Sequence, residues 1–327
     1  MNTNAIFHFR RRFVKDFNLP INLIDNPFFD YYRNKYHFFP KQEYENCLMN
    51  IENNFNGNIQ IWLDRYSELR DNIITTIENS EPYKEFIQMN MSQYLIKDKE
   101  ISSNNIYNEQ WVGSKFISID LKTANFQALK FINPQIVLNC NTYDELIEKF
   151  GGDEYLKKSK YTRQVIFGKL NPKRTIQVEK YLIWQILNNT DNKTLQFIKE
   201  NCELISVGTD EIIFKINSDF ENNINLNLLD DIRGEIEKNN KLSVKVETFH
   251  LTRIVTKNHN GNIVDGYLKK YYLKNIQELK STSSIFFPQI YAIAFNQEFH
   301  DLDMYFSAEN QTAKFIEPLT LIEVQGE

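Results

Sequence analysis

The chain has 327 residues, more than one ordinary core organises, so two or three packed subdomains are expected. With 42% hydrophobic and 25% charged residues it belongs among ordinary globular proteins rather than disordered or fibrous ones. A net charge of −5 excludes a uniformly basic nucleic-acid coat but leaves room for a local basic channel.

With only 10 Gly and 8 Pro, long flexible linkers are not expected between these subdomains, and aromatic residues at 14% favour large cores and strands. Cys47, Cys140 and Cys202 are far apart, without C-x-x-C or Cys/His spacing, which points to free thiols in a reducing compartment and not to zinc. No apolar run reaches membrane-span length and no signal peptide is expected, so the expectation is a cytoplasmic or intracellular protein with no membrane partner.

Along the chain, Phe7 to Lys15 mixes Phe with Arg and Lys. It reads as a basic strand or arm able to touch a phosphate backbone, or as a solvated strand with its aromatics in the core. Apolar spacing over 41–79 is helical, broken at Asn56-Gly57-Asn58, and a further helix is expected over 81–94. No D-x-E strand of the proofreading-exonuclease kind occurs here. Residues 97–110, with Ser102, Ser103, Asn104 and Asn105, form a polar boundary.

Next comes F-I-S-I-D-L-K-T-A-N-F over 116–126, an alternating strand that delivers Asp120 and turns into a helix ended by Asn133-Pro134. A short buried strand is expected over 135–139. Thr142 then caps a helix with Glu145 in the capping-box position, ended by Gly151. A basic helix over 153–170 places Lys160, Arg163 and Phe167 on one face, and a second helix follows over 175–187. Over 204–216 a strand-turn-strand carries V-G-T-D-E at its apex, and a helix over 226–238 follows. A strand over 243–256, the turn Asn258-His259-Asn260-Gly261 and a return strand with Lys269, Lys270, Tyr271 and Tyr272 come next.

Two carboxylates on neighbouring strand ends can hold two Mg²⁺ ions roughly 4 Å apart, and cations on a nearby helix can hold a triphosphate. Asp120, the basic helix and Asp210 occur in that order, an order that resembles the right-hand palm polymerases. The Asp120 segment looks like their motif A. Lys160-Tyr161-Thr162-Arg163-Gln164-Val165-Ile166-Phe167-Gly168 is similar to the K-x-x-x-N-S-x-Y-G of family B DNA polymerases, with Gln164 and Val165 replacing Asn and Ser. Gly208-Thr209-Asp210-Glu211 is closer to the H-D-E of family A, and Lys269-Lys270-Tyr271-Tyr272 matches the K-K-x-Y of family B. The 90 residues from Asp120 to Asp210 and the Ala at 124 are closer to reverse transcriptases.

The resemblance implies an α+β palm, an antiparallel sheet backed by helices, over 111–275. Short fingers would lie near 141–190, a helix-rich region over 1–110, and a thumb-like unit over 276–327. It implies a nucleotidyltransferase that extends a primer with nucleoside triphosphates, in the manner of a replicative DNA polymerase of a virus or mobile element, on a primer-template and with a replication accessory protein. Asp120, Asp210 and Glu211 would be catalytic, the two Asp holding two Mg²⁺ or Mn²⁺ ions. Lys160, Arg163, Phe167, Asn125 and Phe126 would bind the nucleotide, the last two near the sugar. Lys269, Lys270 and Tyr272 would hold the nucleic acid.

Two other classes stay open. Asp120-Leu121-Lys122 with Glu109 suits a metal-dependent nuclease, and a degenerate palm suits a non-catalytic nucleic-acid-binding or assembly subunit. His8, His37, His250, His259 and His300 lack ligand spacing. Asp265-Gly266 lacks the preceding Lys of a ligase motif.

Overall fold

A computed structural model describes residues 3–96, 103–274, 276–309 and 311–326. It shows a mixed α+β chain with an antiparallel sheet, as expected. The first element corrects the expectation of a strand or arm. Residues Thr3–Asp16 form a helix, α1, because Phe9 and Phe13 recur at helical spacing and are fully buried on one face. The helices α2 (Phe28–Lys35), α3 (Lys41–Phe55), α4 (Ile59–Asn79) and α5 (Glu81–Gln88) follow. The expected break between α3 and α4 is made by Asn56 at φ +51° and by Asn58, whose side chain accepts from the Gln60 and Ile61 amides. Residues 97–102 of the expected polar boundary lie outside the described residues.

Strand β1 (Lys115–Leu121) leads into α6 (Ala124–Ile132). The strand expected over 135–139 is instead a 3₁₀ turn, Pro134–Val137, started by Pro134 and by the Asn133 side chain accepting from the Gln135 amide. In α7 (Tyr143–Lys149) the anticipated capping is seen. Thr142 Oγ1 accepts the Glu145 amide at 3.2 Å, and Glu145 reaches the Asn141 amide at 2.6 Å. The basic helix is two helices, α8 (Glu154–Lys158) and α9 (Lys160–Lys169), divided at Ser159, whose hydroxyl caps α9 at the Thr162 amide. Then come α10 (Pro172–Asn188), α11 (Lys193–Asn201), β2 (Cys202–Val207), β3 (Glu211–Ile216), α12 (Leu226–Asn240), β4 (Val244–Lys257), β5 (Ile263–Tyr271) and β6 (Ile276–Lys280). The chain closes with α13 (Phe287–Ala294), β7 (Tyr305–Ala308), β8 (Gln311–Lys314) and β9 (Thr320–Gln325).

Two compact units result. The first comprises Met1–Met89, Leu129–Thr175 and Tyr305–Ala313. Its core is aromatic: Phe9, Phe13, Tyr44, Trp62 and Tyr155 meet at ring separations of 5.0 to 6.1 Å. Inside this core Asp16, with no exposed surface, is held by Arg12 Nε at 2.8 Å, the Tyr155 hydroxyl at 2.6 Å and Ser159 Oγ at 2.7 Å. Those three donors offset the cost of burying a carboxylate.

The second unit comprises Asn90–Ala128, Ile176–Met304 and Lys314–Glu327. Its sheet runs β2-β3-β1-β4-β5-β6 with every pairing antiparallel. From β1 to β4 the connection order is β-α-β-β-α-β, the split arrangement in which β1 lies between β3 and β4. One face of the sheet carries Phe116, Phe249, Leu251, Tyr267 and Tyr271, covered by Ile106, Tyr107 and Trp111. Helix α12 packs on β4. Within 276–327, the stretch read as a thumb-like unit, β6 and β9 belong to this same sheet. β6 pairs with β5, and β9 pairs with the second half of β4, which is long enough at 14 residues to serve both β1 and β9. Gly266 lets α13 approach β5, since a Cβ there would lie 2.9 Å from Ile290. Among the described residues no helix is long and apolar enough to cross a membrane.

Candidate active site

Alternation in β1 sends Ile117, Ile119 and Leu121 to one face and Phe116, Ser118 and Asp120 to the other. Asp120, in register, stands between Glu211 on β3 and Lys245 on β4. The Gly208 amide donates to the Glu211 carbonyl at 2.7 Å and closes the turn Thr209-Asp210, and the Asp210 carbonyl accepts the Leu121 amide at 2.7 Å. Backbone bonds therefore fix the end of β1 to the turn that carries the second aspartate. The Asp210 side chain itself is exposed.

Behind Asp120, Gln127 is a buried amide that makes three backbone bonds. Its Nε2 donates to the Lys122 carbonyl and to the Ser243 carbonyl at 2.8 Å, and its Oε1 accepts the Ser243 amide at 2.7 Å. Thr123, at φ +47°, sits in the turn so held.

Charges are crowded on this face. Burial first, then the Asp210 charge, pushes the Asp120 carboxyl up to about 6, against the pull of Lys245 and Lys269. Burial also raises Glu211; Lys269 opposes this, and Asp120 and Asp210 add to it. Lys269 is itself 7% exposed, with Nζ 4.0 Å from the centre of the Phe249 ring. Burial lowers its pKa and the facing Glu211 holds it up. Glu247 accepts from Lys245 at 2.7 Å and Lys274 at 3.0 Å, and Glu278 pairs with Lys280 at 2.8 Å.

Beside the turn lies a group that spacing alone did not single out. Glu179 of α10 is 3% exposed, and its carboxyl is pushed up to about 7 by burial first and the Asp210 charge second. Asn125 Nδ2 donates to Glu179 Oε1 and opposes that shift. The signal was present in the sequence, because Glu179 shares a helical stripe with Leu182, Ile183 and Ile186, all fully buried. Lys245 and Glu247 could likewise have been found as alternate positions of β4.

The expected residues thus divide. Asp120, Asp210, Glu211, Asn125, Phe126, Lys269, Lys270 and Tyr272 belong to the second unit, and Lys160, Arg163 and Phe167 to the first. Phe126 is 1% exposed and lies in the core, whereas Asn125 is half-buried. Lys269 and Lys270 leave opposite faces of β5, so Lys269 enters the carboxylate cluster. Tyr272 is exposed, with Lys115 Nζ 5.7 Å from its ring. In the first unit Lys160 is exposed, Arg163 lies over the Tyr143 ring at 5.9 Å, and Phe167 is buried against Tyr143. Arg12 and Lys15 of α1 both face the Tyr161 ring, at 5.1 and 5.6 Å, which gathers two basic segments far apart in sequence. Glu109 is engaged by Arg253 at 3.2 Å, and Lys122 is exposed.

Among the described residues no group of three His, Cys, Asp or Glu is arranged to hold a metal ion. Hard carboxylate oxygens at two strand ends still fit Mg²⁺, which binds through one or two carboxylates and completes its shell with substrate oxygens and water. No protein-family model matches the chain, and no curated protein or solved structure matches it either.

Proposed function

We propose that the chain is a nucleotidyltransferase that extends a nucleic-acid 3′ end with nucleoside triphosphates, in the manner of a DNA polymerase. The observation that carries this is the backbone bond from Leu121 to Asp210, which joins two carboxylate-bearing strand ends within a β-α-β-β-α-β sheet. Asp120 and Asp210 would hold two Mg²⁺ ions, which when bound supply activation of the attacking hydroxyl and neutralisation of the leaving pyrophosphate. Gln127 keeps the turn behind Asp120 in place. Lys245 and Lys269 favour the ionised form of Asp120, the form able to bind a cation. Lys160 and Arg163 are the candidate phosphate-binding cations of the first unit, and Lys270 and Tyr272 the candidate nucleic-acid contacts of the second.

Mg²⁺-dependent extension of a labelled primer, with deoxy- and ribonucleotides supplied separately, tests the proposal. Extension lost in both Asp120→Ala and Asp210→Ala supports it. Absence of extension by the wild type on DNA or RNA, with or without template, refutes it.

One observation favours a second reading. Lys245 stands opposite Asp120 and Lys269 is buried among Glu211 and its neighbours, so ammonium groups already supply cationic charge there. In a non-catalytic nucleic-acid-binding subunit those lysines would stand in for metal. Nucleic-acid binding that is unchanged in Asp120→Ala, together with no extension, selects this reading.

A further inference from the structure

The first unit holds a cavity of about 290 Å³ between α3 and α8, and none of its lining residues belongs to the proposed chemistry. On α3 the wall is Asn46, Cys47 and Asn50, whose spacing of three and four puts them on one face. The facing wall is the start of α8, with its cap Asp153 and the ring of Tyr155. Tyr155 is anchored by its hydroxyl, which donates to Asp16 at 2.6 Å.

Two features of this lining point to a ligand. The first is a carboxylate without a cation. Asp153 Oδ2 accepts from the Tyr66 hydroxyl at 2.5 Å and from Asn50 Nδ2 at 3.0 Å, and Oδ1 accepts the Leu156 amide at 3.1 Å. All three donors are neutral, and no Lys, Arg or His pairs with Asp153 among the described residues. An ionised carboxyl offers about four acceptor positions, so one on Oδ1 is left. The other acids of this region have their cations: Arg12 for Asp16, Lys158 for Glu43 at 2.8 Å and Lys157 for Glu154. The second feature is Cys47, 3% exposed, whose thiol makes no hydrogen bond among the described residues. Burial first, then the Asp153 and Asp16 charges, push that thiol up, so it stays neutral and is no thiolate ligand for a metal. One carboxylate already holding three donors is also a poor site for Mg²⁺, which keeps its water reluctantly. An ammonium on a short apolar stem fits better, because a neutral thiol and an aromatic ring receive methylene groups without losing a strong hydrogen bond.

We propose that this cavity binds a small aliphatic ammonium compound, whose charged head donates to Asp153 Oδ1 while its methylene chain lies along Cys47 and the Tyr155 ring. The volume is at the lower end for small-molecule sites, which suits a short chain.

The test is a ligand-detected NMR titration of the full chain, free of nucleic acid, with n-butylammonium chloride and with 1-butanol as its neutral analogue. Wild type is expected to bind the ammonium with a Kd on the order of 1 mM, at least about tenfold more tightly than the alcohol. Asp153→Asn still caps α8 but carries no charge, and should erase that preference. Cys47→Met adds volume at the cavity wall and should weaken ammonium binding about tenfold. Glu154→Gln, exposed and already paired with Lys157, should change it by less than about twofold. Absence of binding by the wild type, equal binding of ammonium and alcohol, or displacement of the ammonium by an equal concentration of MgCl₂ overturns the proposal. So does a preference that survives Asp153→Asn, or an affinity unmoved by Cys47→Met. If one of these two variants does not fold, the other decides together with the wild-type comparison. Neither nucleotide nor primer enters the titration, so its failure leaves the nucleotidyltransferase reading untouched.

Discussion

Leu121 and Asp210 are 89 residues apart in sequence, yet the amide of one donates to the carbonyl of the other at 2.7 Å. This bond depends on no side chain, so it survives substitution of either aspartate. It separates the positions of the carboxylates from their chemistry, and that separation makes their roles measurable.

Asp120→Asn should abolish Mg²⁺-dependent extension, a loss on the order of a thousandfold or more, while stabilising the metal-free protein. Burial and Asp210 raise the Asp120 carboxyl to about 6, above its unfolded value. Its ionisation therefore costs stability as pH rises through about 6, and below the unfolded value that cost is absent. With solvent screening, Asn should gain about 1 to 2 kcal/mol at pH 8 and little at pH 4. Thermal melts in EDTA at the two pH values check this. Stabilisation combined with loss of activity marks a residue kept for function.

Cation binding at Asp120 should weaken as pH falls through about 6, because the protonated carboxyl is a poor ligand. Titration with Mn²⁺, followed by its paramagnetic effect on water, should show affinity falling from pH 7 to pH 5 in the wild type. The fall should be absent in Asp120→Asn, which starts weak.

Lys270→Ala should lower nucleic-acid affinity and reduce the salt slope by about one, as expected for a phosphate contact. Lys269→Ala should instead leave the slope unchanged and destabilise the fold by about 2 kcal/mol, since Glu211 loses its facing cation inside the cluster. Binding isotherms at several salt concentrations and urea titrations distinguish the neighbours.

Gln127→Leu removes three hydrogen bonds and leaves the Ser243 amide and the Lys122 carbonyl to find other partners, while the Ser243 carbonyl keeps the Lys122 amide at 3.0 Å. A cost of about 2 to 3 kcal/mol is expected. If the turn after Asp120 loosens, the Mg²⁺ concentration needed for half-maximal extension should rise several-fold, measured on the folded fraction.

In the first unit, Arg12→Ala should destabilise by about 3 kcal/mol at pH 7, because Asp16 is left charged without its cation in a fully buried site. The companion Arg12→Ala/Asp16→Asn should recover part of this. Urea denaturation of the single and double variants reads both values.

Local chemistry in the sequence determined much of this molecule. The alternation around Asp120, the hairpin at Asp210, the break at Asn56 and the Thr142 cap each follow from side-chain period, turn residues or a polar cap acting over a few neighbours. Where the sequence misled, it was at α1, read as a strand or arm although Phe9 and Phe13 have helical spacing, and at the Asn133-Pro134 turn, where a short apolar run resembled a strand. What only the tertiary structure decided is which residues from distant segments meet. The pairing of β1 with β3 and β4 placed Glu211 and Lys245 beside Asp120, and the pleat of β5 sent Lys269 and Lys270 to opposite faces, Lys269 into the carboxylate cluster. The packing of α10 brought Glu179 to Asn125. Charge and hydrogen-bond partners act through space over a few ångströms, and no spacing along the chain encodes that distance.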